Sequence, residues 1–492
     1  MAITIIGLGP GDAAHLTRKA WAVLEASDEV YLRTRKHPTV TELPPGLTLH
    51  AFDHLYEEAA DFDAVYTAIA AEILALGRRP QGVVYAVPGH PLVGEASVGR
   101  ILDAAPEADL PVHIVAGLSF VEPVLTALGI DALSGLQLVD ATELAAMHHP
   151  PLNPDLPALV AQLYSQALAA DLKLTLLNQY PPDHVVVLVN RAGTAQERTF
   201  SVPLFELDRQ LDVAHLTTLY VPPLPRLSSL EGFQQTIARL RAPDGCPWDR
   251  EQTHLSLRST LLEETYETLT ALDHEDVEEL QEELGDLLLQ IVLQAQIAVE
   301  AAEFSLADVI ATVDAKIKRR HPHVWGDVVV ANADEVLPLW EALKAQERRE
   351  KDGDGACQRS LLDGVPRTLP ALAQADAYGR RAARVGCDWP DVDGVVRKIS
   401  EEIREVRDAV DEQDRASEVG DVLLAVANWA RWLDVDPEAA LRQANARFAQ
   451  RFAWVETEAR RRRLELAQMQ VDKLEELWQE AKVYLALHSH EK

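Results

Sequence analysis

The sequence predicts a multidomain protein in which an N-terminal α/β domain precedes two all-α helical domains. Three observations lead there. Strand-type runs alternate with helical ones as far as residue 224, strands nearly vanish beyond it, and the helical remainder repeats itself. The chain of 492 residues has the length for two to four domains, each with its own core. We set the domains at 1–224, 225–350 and 360–485.

In the first domain the runs AITIIGLG (2–9), GVVYAVPG (82–89), PVHIVAG (111–117), LKLTLLNQY (172–180) and HVVVLVNRAG (184–193) read as strands bounded by glycine and proline. The proline-rich YVPPLPRLSS (220–229) ends this pattern and marks the first boundary. A polar, glycine-containing segment, EKDGDGACQRSLLDGVP (350–366), separates the two helical domains. These domains echo each other. GCPWD at 245 recurs as GCDWPD at 386, LEETYE at 262 as SEEIRE at 400, and EELGDLLLQIV at 282 as SEVGDVLLAVA at 417. A duplicated all-α domain is the simplest account.

Composition narrows the function. A formal net charge of −32 repels a polyphosphate backbone and argues against nucleic-acid polymers as partners. The dense basic run Arg460, Arg461, Arg462 and Arg463 reads as a solvated helix end. Cys246, Cys357 and Cys387 are far apart and odd in number, which fits a reducing cytoplasm better than a disulfide framework or a cysteine zinc site. The N-terminus has no basic n-region and reads as a strand, not a signal. The longest apolar stretch, 284–302, carries Asp286, Gln290, Gln294 and Gln296, so we expect a buried helix rather than a membrane span.

The chemistry gathers in the acidic helices. Glu263, Glu264 and Glu267 crowd one helix, and Glu283 and Asp286 share a face of the next, which is apolar nearly all round. A solvated face explains any one such pattern. Burial of Glu283 with Asp286 would instead require protonation, an ion pair or a metal. If the two helices pack antiparallel, Glu264, Glu267, Glu283 and Asp286 converge, and hard oxygen ligands favour Mg²⁺, with Mn²⁺ as a substitute. Gly285 between the ligands is expected to allow close helix packing. The four positions recur as Glu402, Glu405, Glu418 and Asp421.

These residues resemble the MazG family of all-α nucleoside triphosphate pyrophosphohydrolases. GCPWDREQTH, LEETYE, ELGDLL and KIKRRHPHVW resemble the family's first domain, and VPRTLPAL, VGCDW, EEIREV, EVGDVL and ANARFAQRF its second, over roughly 228–485. The resemblance implies Mg²⁺-dependent hydrolysis of a nucleoside triphosphate to the monophosphate and pyrophosphate, with the acidic quartets as metal ligands. In that mechanism metals neutralise phosphate oxygens and activate an attacking water. Glu263 and Glu401, beside the ligands, are then candidates for the general base or an outer carboxylate.

Cations for the triphosphate are sought at Lys316, Arg319 and Arg320 after the first quartet, and at Arg447 and Arg451 after the second. Ordinary helix C-terminal cations are the competing reading. Trp248 and Trp389 precede the acidic helices at equivalent positions, where each could stack on a base or, the reading we weigh more heavily, pack the helix start. His321 and His323 lack a companion nitrogen or sulfur cluster and read as structural.

The strand into IIGLGPGD (5–12) ends in a glycine-rich turn that lets backbone N–H groups approach a ligand. With YAVPGHPLVGEASV, IVAGLSFVEPVLTALGID, LVDATEL and LTLLNQYPPDHVVVLVNRAGT it resembles the tetrapyrrole (corrin/porphyrin) methylase family over nearly all of 1–224. That resemblance implies two α/β lobes around S-adenosylmethionine, with Gly7, Gly9, Gly11, Asp12, Pro88, Gly89, Gly117 and Ser119 on the cofactor side. The family's GDP reads Gly89, His90, Pro91 here, and the missing aspartate bears on substrate handling. The expected function is thus a cytoplasmic pyrophosphohydrolase in nucleotide-pool housekeeping, homodimeric through its helical domains. A methyltransferase acting on a tetrapyrrole-like substrate and a nucleotide-responsive scaffold are the alternatives.

Overall fold

The computed structural model describes residues 1–59, 61–352 and 360–488. The chain divides into two compact units, Met1–Ala242 and Pro243–Lys492.

The first unit holds two five-stranded sheets. One comprises β1 (Ile3–Gly7), β2 (Glu29–Leu32), β3 (Thr48–Ala51), β4 (Val83–Val87) and β5 (Val112–Val115), in the order β3-β2-β4-β1-β5 and parallel throughout. In its centre Ile5 is paired with both Tyr85 and Ile114. The second comprises β6 (Gln137–Asp140), β7 (Ala158–Ala161), β8 (Val185–Asn190), β9 (Arg198–Pro203) and β10 (Thr217–Val221), in the order β6-β7-β10-β8-β9. Only β6 and β7 are parallel there. A central strand with helices on both faces has no solvated side, which is why β1 and β4 bury nearly every residue. Ile3, Ile5, Tyr85 and Val87 pack with helix Phe62–Gly77, while Ile6, Leu8 and Ala86 face helix Arg18–Glu25.

Four of the five expected strands form. The fifth, LKLTLLNQY, lies largely in helix Gln166–Leu176. Its Leu-Lys-Leu-Thr alternation imitates a strand, but Ser165 caps Leu168 N–H at 3.2 Å, and Ala169, Leu172, Thr175 and Leu176 bury at helical spacing. The first unit also runs past residue 224. Asp155 accepts from the Ser228 and Ser229 N–H groups at 2.7 and 3.2 Å, and Ser229 caps helix Leu230–Arg241. That helix therefore belongs with the α/β unit, and the division falls at Ala242–Pro243.

The second unit is helical, and both repeats lie within it. Each contains a hairpin: Arg258–His274 with Val277–Glu300, and Val392–Asp408 with Glu412–Trp432. Leu306–Arg320 follows the first hairpin and Pro437–Arg462 the second. Arg442 pairs with Asp273 at 3.1 Å, tying one repeat to the other. The apolar helix expected to be buried is only half covered. Val292, Leu293, Ala295, Ile297 and Ala298 are buried, but Leu284, Leu288, Ile291 and Val299 are exposed. A two-helix hairpin covers one stripe of each member, so an all-round apolar helix keeps a wet face. Cys246 and Cys387 are free thiols, and Cys357 lies outside the described residues.

Candidate functional site

The first hairpin is built by its turn. Glu275 ends helix Arg258–His274 in the left-handed region at φ 55°, and the Asp276 carboxylate then accepts from Glu278 and Glu279 N–H groups at 3.1 and 3.0 Å. So short a connection returns the chain antiparallel, and one carboxylate oxygen each from Glu264, Glu267 and Glu283 comes within 4.8 Å of the others. Asp286 falls outside this trio, yet its charge reaches it. Desolvation first, then the charges of Asp286, Glu267, Glu283 and Glu263, raise the Glu264 carboxyl. Glu283 is raised by desolvation and by Glu267 and Asp286. Glu283 and Asp286 are half-buried, not buried, so proximity replaces burial as the argument for a cation.

The second hairpin repeats the plan with one addition. Asp391 and Asp411 cap its two helices, donated to by Gly394 N–H at 2.7 Å and Asp414 N–H at 2.8 Å. Glu402, Glu418 and Asp421 form its trio. Glu405 lies outside it, hydrogen-bonded to Glu402, and is raised by that bond first. Lys398 was not foreseen from the sequence. Its Nζ lies 2.6 Å from Glu402 and 2.9 Å from Glu401, so Glu402 is held below its ordinary range by the Lys398 bond. The available signal was a lysine four residues ahead of Glu402 on one helix face.

Gly285 does not clear space for helix packing: a Cβ there would meet nothing within 4 Å among the described residues, and the same holds at Gly420. Glu263 is exposed, and Glu401 is held by Lys398. Arg319 and Arg320 each pair with Glu347 at 2.7 Å rather than standing free for a phosphate. Lys316, Arg447 and Arg451 form no ion pair among the described residues. Trp248 and Trp389 are 60% and 41% exposed, and the Trp389 ring lies against Gly394 in the first turn of Val392–Asp408, as helix-start packing requires. Trp389, Lys398, Ser400, Glu401 and Arg404 line a cleft of about 430 Å³ beside the second trio. His321 is structural as expected, its Nδ1 2.7 Å from the Ile317 carbonyl and its ring against Trp340. The arginine run is an exposed helix end as expected, at the close of Pro437–Arg462, with Arg461 and Arg462 paired with Glu458, and Arg462 also with Glu480.

In the α/β unit the glycine loops meet at the carboxyl edge of the parallel sheet, where open α/β sheets bind ligands. Gly9 and Gly89 exchange backbone hydrogen bonds, the Gly89 N–H donating at 2.8 Å and the Gly9 N–H at 3.3 Å. Gly7 is needed for packing, because a Cβ there would strike the Gly89 carbonyl and the Gly117 backbone. Gly89, at φ +65° and with open space around it, can be approached closely by a ligand. Gly11 is also in the left-handed half of conformational space, at φ +139°. Pro88 joins Val87 of β4 to this loop. Asp12 accepts from Ala14 N–H at 2.8 Å and Ser119 bonds Glu122 at 2.6 Å, so both side chains serve local caps.

The profile of the MazG nucleotide pyrophosphohydrolase domain matches residues 252–325, and that of the Tetrapyrrole (Corrin/Porphyrin) Methylases matches residues 2–208. The chain is 40% identical over 494 residues to the uncharacterized protein YabN of Bacillus subtilis, covering 98% of each. It is 42% identical over 262 residues to the nucleoside triphosphate pyrophosphohydrolase of Escherichia coli, covering 52% of this chain and 98% of the relative. Among solved structures, a uroporphyrin-III-C-methyltransferase from Thermus thermophilus aligns at 24% identity and a TM-score of 0.36, covering 45% of this chain and 91% of that one.

Proposed function

Since the chain belongs to the MazG family of nucleoside triphosphate pyrophosphohydrolases, with a tetrapyrrole methylase domain ahead of its helical unit, we propose that it hydrolyses nucleoside triphosphates to monophosphate and pyrophosphate. The observation that carries this reading is the hairpin built twice, with three carboxylates gathered within 4.8 Å in each copy. An all-oxygen donor set, in which desolvation and acidic neighbours raise Glu264 and Glu283 of the first copy, fits Mg²⁺, or Mn²⁺ in its place. When bound, the ion supplies neutralising charge to the triphosphate.

The chain's own residues divide the remaining work. Glu264, Glu267, Glu283 and Asp286 would hold the ion in the first repeat, and Glu402, Glu405, Glu418 and Asp421 in the second. Glu263, exposed beside its trio, would accept a proton from the attacking water. Glu401 has the same position but is tied to Lys398. Lys316, Arg447 and Arg451 are the cations left for phosphate oxygens, and the Trp389 cleft is large enough to seat a nucleobase with its ribose. The role we infer is removal of unwanted nucleotides in the cytoplasm. The exposed apolar stripe of Val277–Glu300 supports a homodimer through the helical unit. In the α/β unit, the glycine loops after β1, β4 and β5 fit S-adenosylmethionine as a ligand.

Pyrophosphate release from a panel of nucleoside triphosphates with Mg²⁺ tests the reading. We expect Glu264→Ala and Glu402→Ala each to lower turnover and the double variant to abolish it. Full activity in the double variant would overturn the site.

A further inference from the structure

The cations after the first hairpin are arranged unlike those after the second. Lys316, Arg319 and Arg320 stand at i, i+3 and i+4 near the end of Leu306–Arg320, so they share one side of that helix. Two of the three are engaged by a residue from another helix. Glu347, on helix Ala333–Asp352, accepts from Arg319 Nε at 2.8 Å and from Arg320 Nη2 at 2.7 Å, and its side chain is 14% exposed. The Arg320 hydrogen bond, against desolvation and helped by Arg319, holds the Glu347 carboxyl down to about 2, so the cluster is ionised at neutral pH.

Two guanidiniums converging on one anion is an arrangement suited to phosphate, whose oxygens match the same N–H forks. Here a carboxylate of the chain itself takes that place. The second repeat differs at both ends of the contact. LWEALKAQE (339–347) aligns with LWQEAKVYL (477–485), which sets Leu485 opposite Glu347. KIKRR (316–320) aligns with RFAQR (447–451), which sets Gln450 opposite Arg319 and keeps cations at Arg447 and Arg451. The carboxylate is therefore particular to the first repeat.

We propose that Glu347 is a specificity-determining residue: it occupies the seat of a phosphate group on Arg319 and Arg320 and so weakens the first repeat's hold on polyphosphate, a restraint the second repeat lacks. This rests on the reading of the helical unit as a nucleoside triphosphate site whose cations meet phosphate.

Calorimetry with α,β-methylene adenosine triphosphate and Mg²⁺ tests it, since that probe binds without being split between its α and β phosphates. The full chain carries Arg447→Met and Arg451→Met throughout, so that binding reports the first repeat. Glu347→Gln keeps the shape and removes the charge, and Glu347→Leu installs the residue of the second repeat. Each should bind the probe at least about fivefold more tightly than the chain with Glu347 intact. Adding Arg319→Met with Arg320→Met should erase the gain, which a general effect of net charge would not do. Affinity that is unchanged or weaker in both Glu347 variants, or a gain that survives loss of both arginines, overturns the role of Glu347 alone. Absence of binding in every chain, the unaltered protein included, overturns the triphosphate reading and this inference with it.

Discussion

Lys398 Nζ sits 2.6 Å from Glu402 Oε1, one helical turn before it, while the same place ahead of Glu264 in the first repeat is held by Thr260. One trio carries a counter-charge within its own helix and the other does not. The carboxyls respond accordingly: Glu264 is raised, first by desolvation and then by its acidic neighbours, whereas Glu402 is lowered by its lysine.

Removing the lysine should make the two repeats alike. Lys398→Met is expected to lower thermal stability without metal and to enlarge the stabilisation that Mg²⁺ provides, since ligand binding to the folded state stabilises by mass action. Differential scanning fluorimetry in EDTA and in Mg²⁺ checks this; equal Mg²⁺ responses in parent and variant would contradict it.

Two glycines should behave oppositely. Gly7→Ala places a Cβ against the Gly89 carbonyl and should cost roughly 1–3 kcal/mol. Gly285→Ala meets nothing within 4 Å in a helix interior and should stabilise by about 0.5–1 kcal/mol. Urea unfolding midpoints measure both.

Glu95 gives the α/β unit a pH dependence. Burial pushes its carboxyl up to about 7, against the pull of Arg33, which also faces His37, Tyr56, Tyr66 and Tyr85. Because the folded value lies above the unfolded one, the folded state binds the extra proton, and stability falls as pH rises from about 4.5 towards 7. Glu95→Gln should flatten that window in thermal melts; an unchanged slope would argue against the raised carboxyl.

Leu284, Leu288 and Ile291 lie on the exposed stripe of Val277–Glu300. Leu288→Glu with Ile291→Glu should convert a dimer to monomers in light scattering behind size exclusion. An unchanged mass would place the association elsewhere.

Much of this was legible in residue order. Runs such as GVVYAVPG and HVVVLVNRAG are long and β-branched enough to announce strands. The four-residue β2, β3, β6 and β7 were not, being too short to show a period. The doubled spacing picked out eight carboxylates, of which six stand in the two trios. Their grouping was not legible, because Asp286 and Glu405 share a helix face with their partners yet fall outside the trios.

Local order settled the elements of both hairpins, since caps at Asp276, Asp391 and Asp411 and acidic residues at helical spacing are properties of neighbouring residues. Pairings across distance waited on the tertiary structure. Arg33 and Glu95 are 62 positions apart, and nothing local to either indicates the other. Their meeting depends on β2 and β4 lying side by side, a register set by the packing of the whole sheet. The wet face of Val277–Glu300 is likewise a packing result: hydrophobicity shows that a helix seeks cover, and only the assembled neighbours show how much it receives.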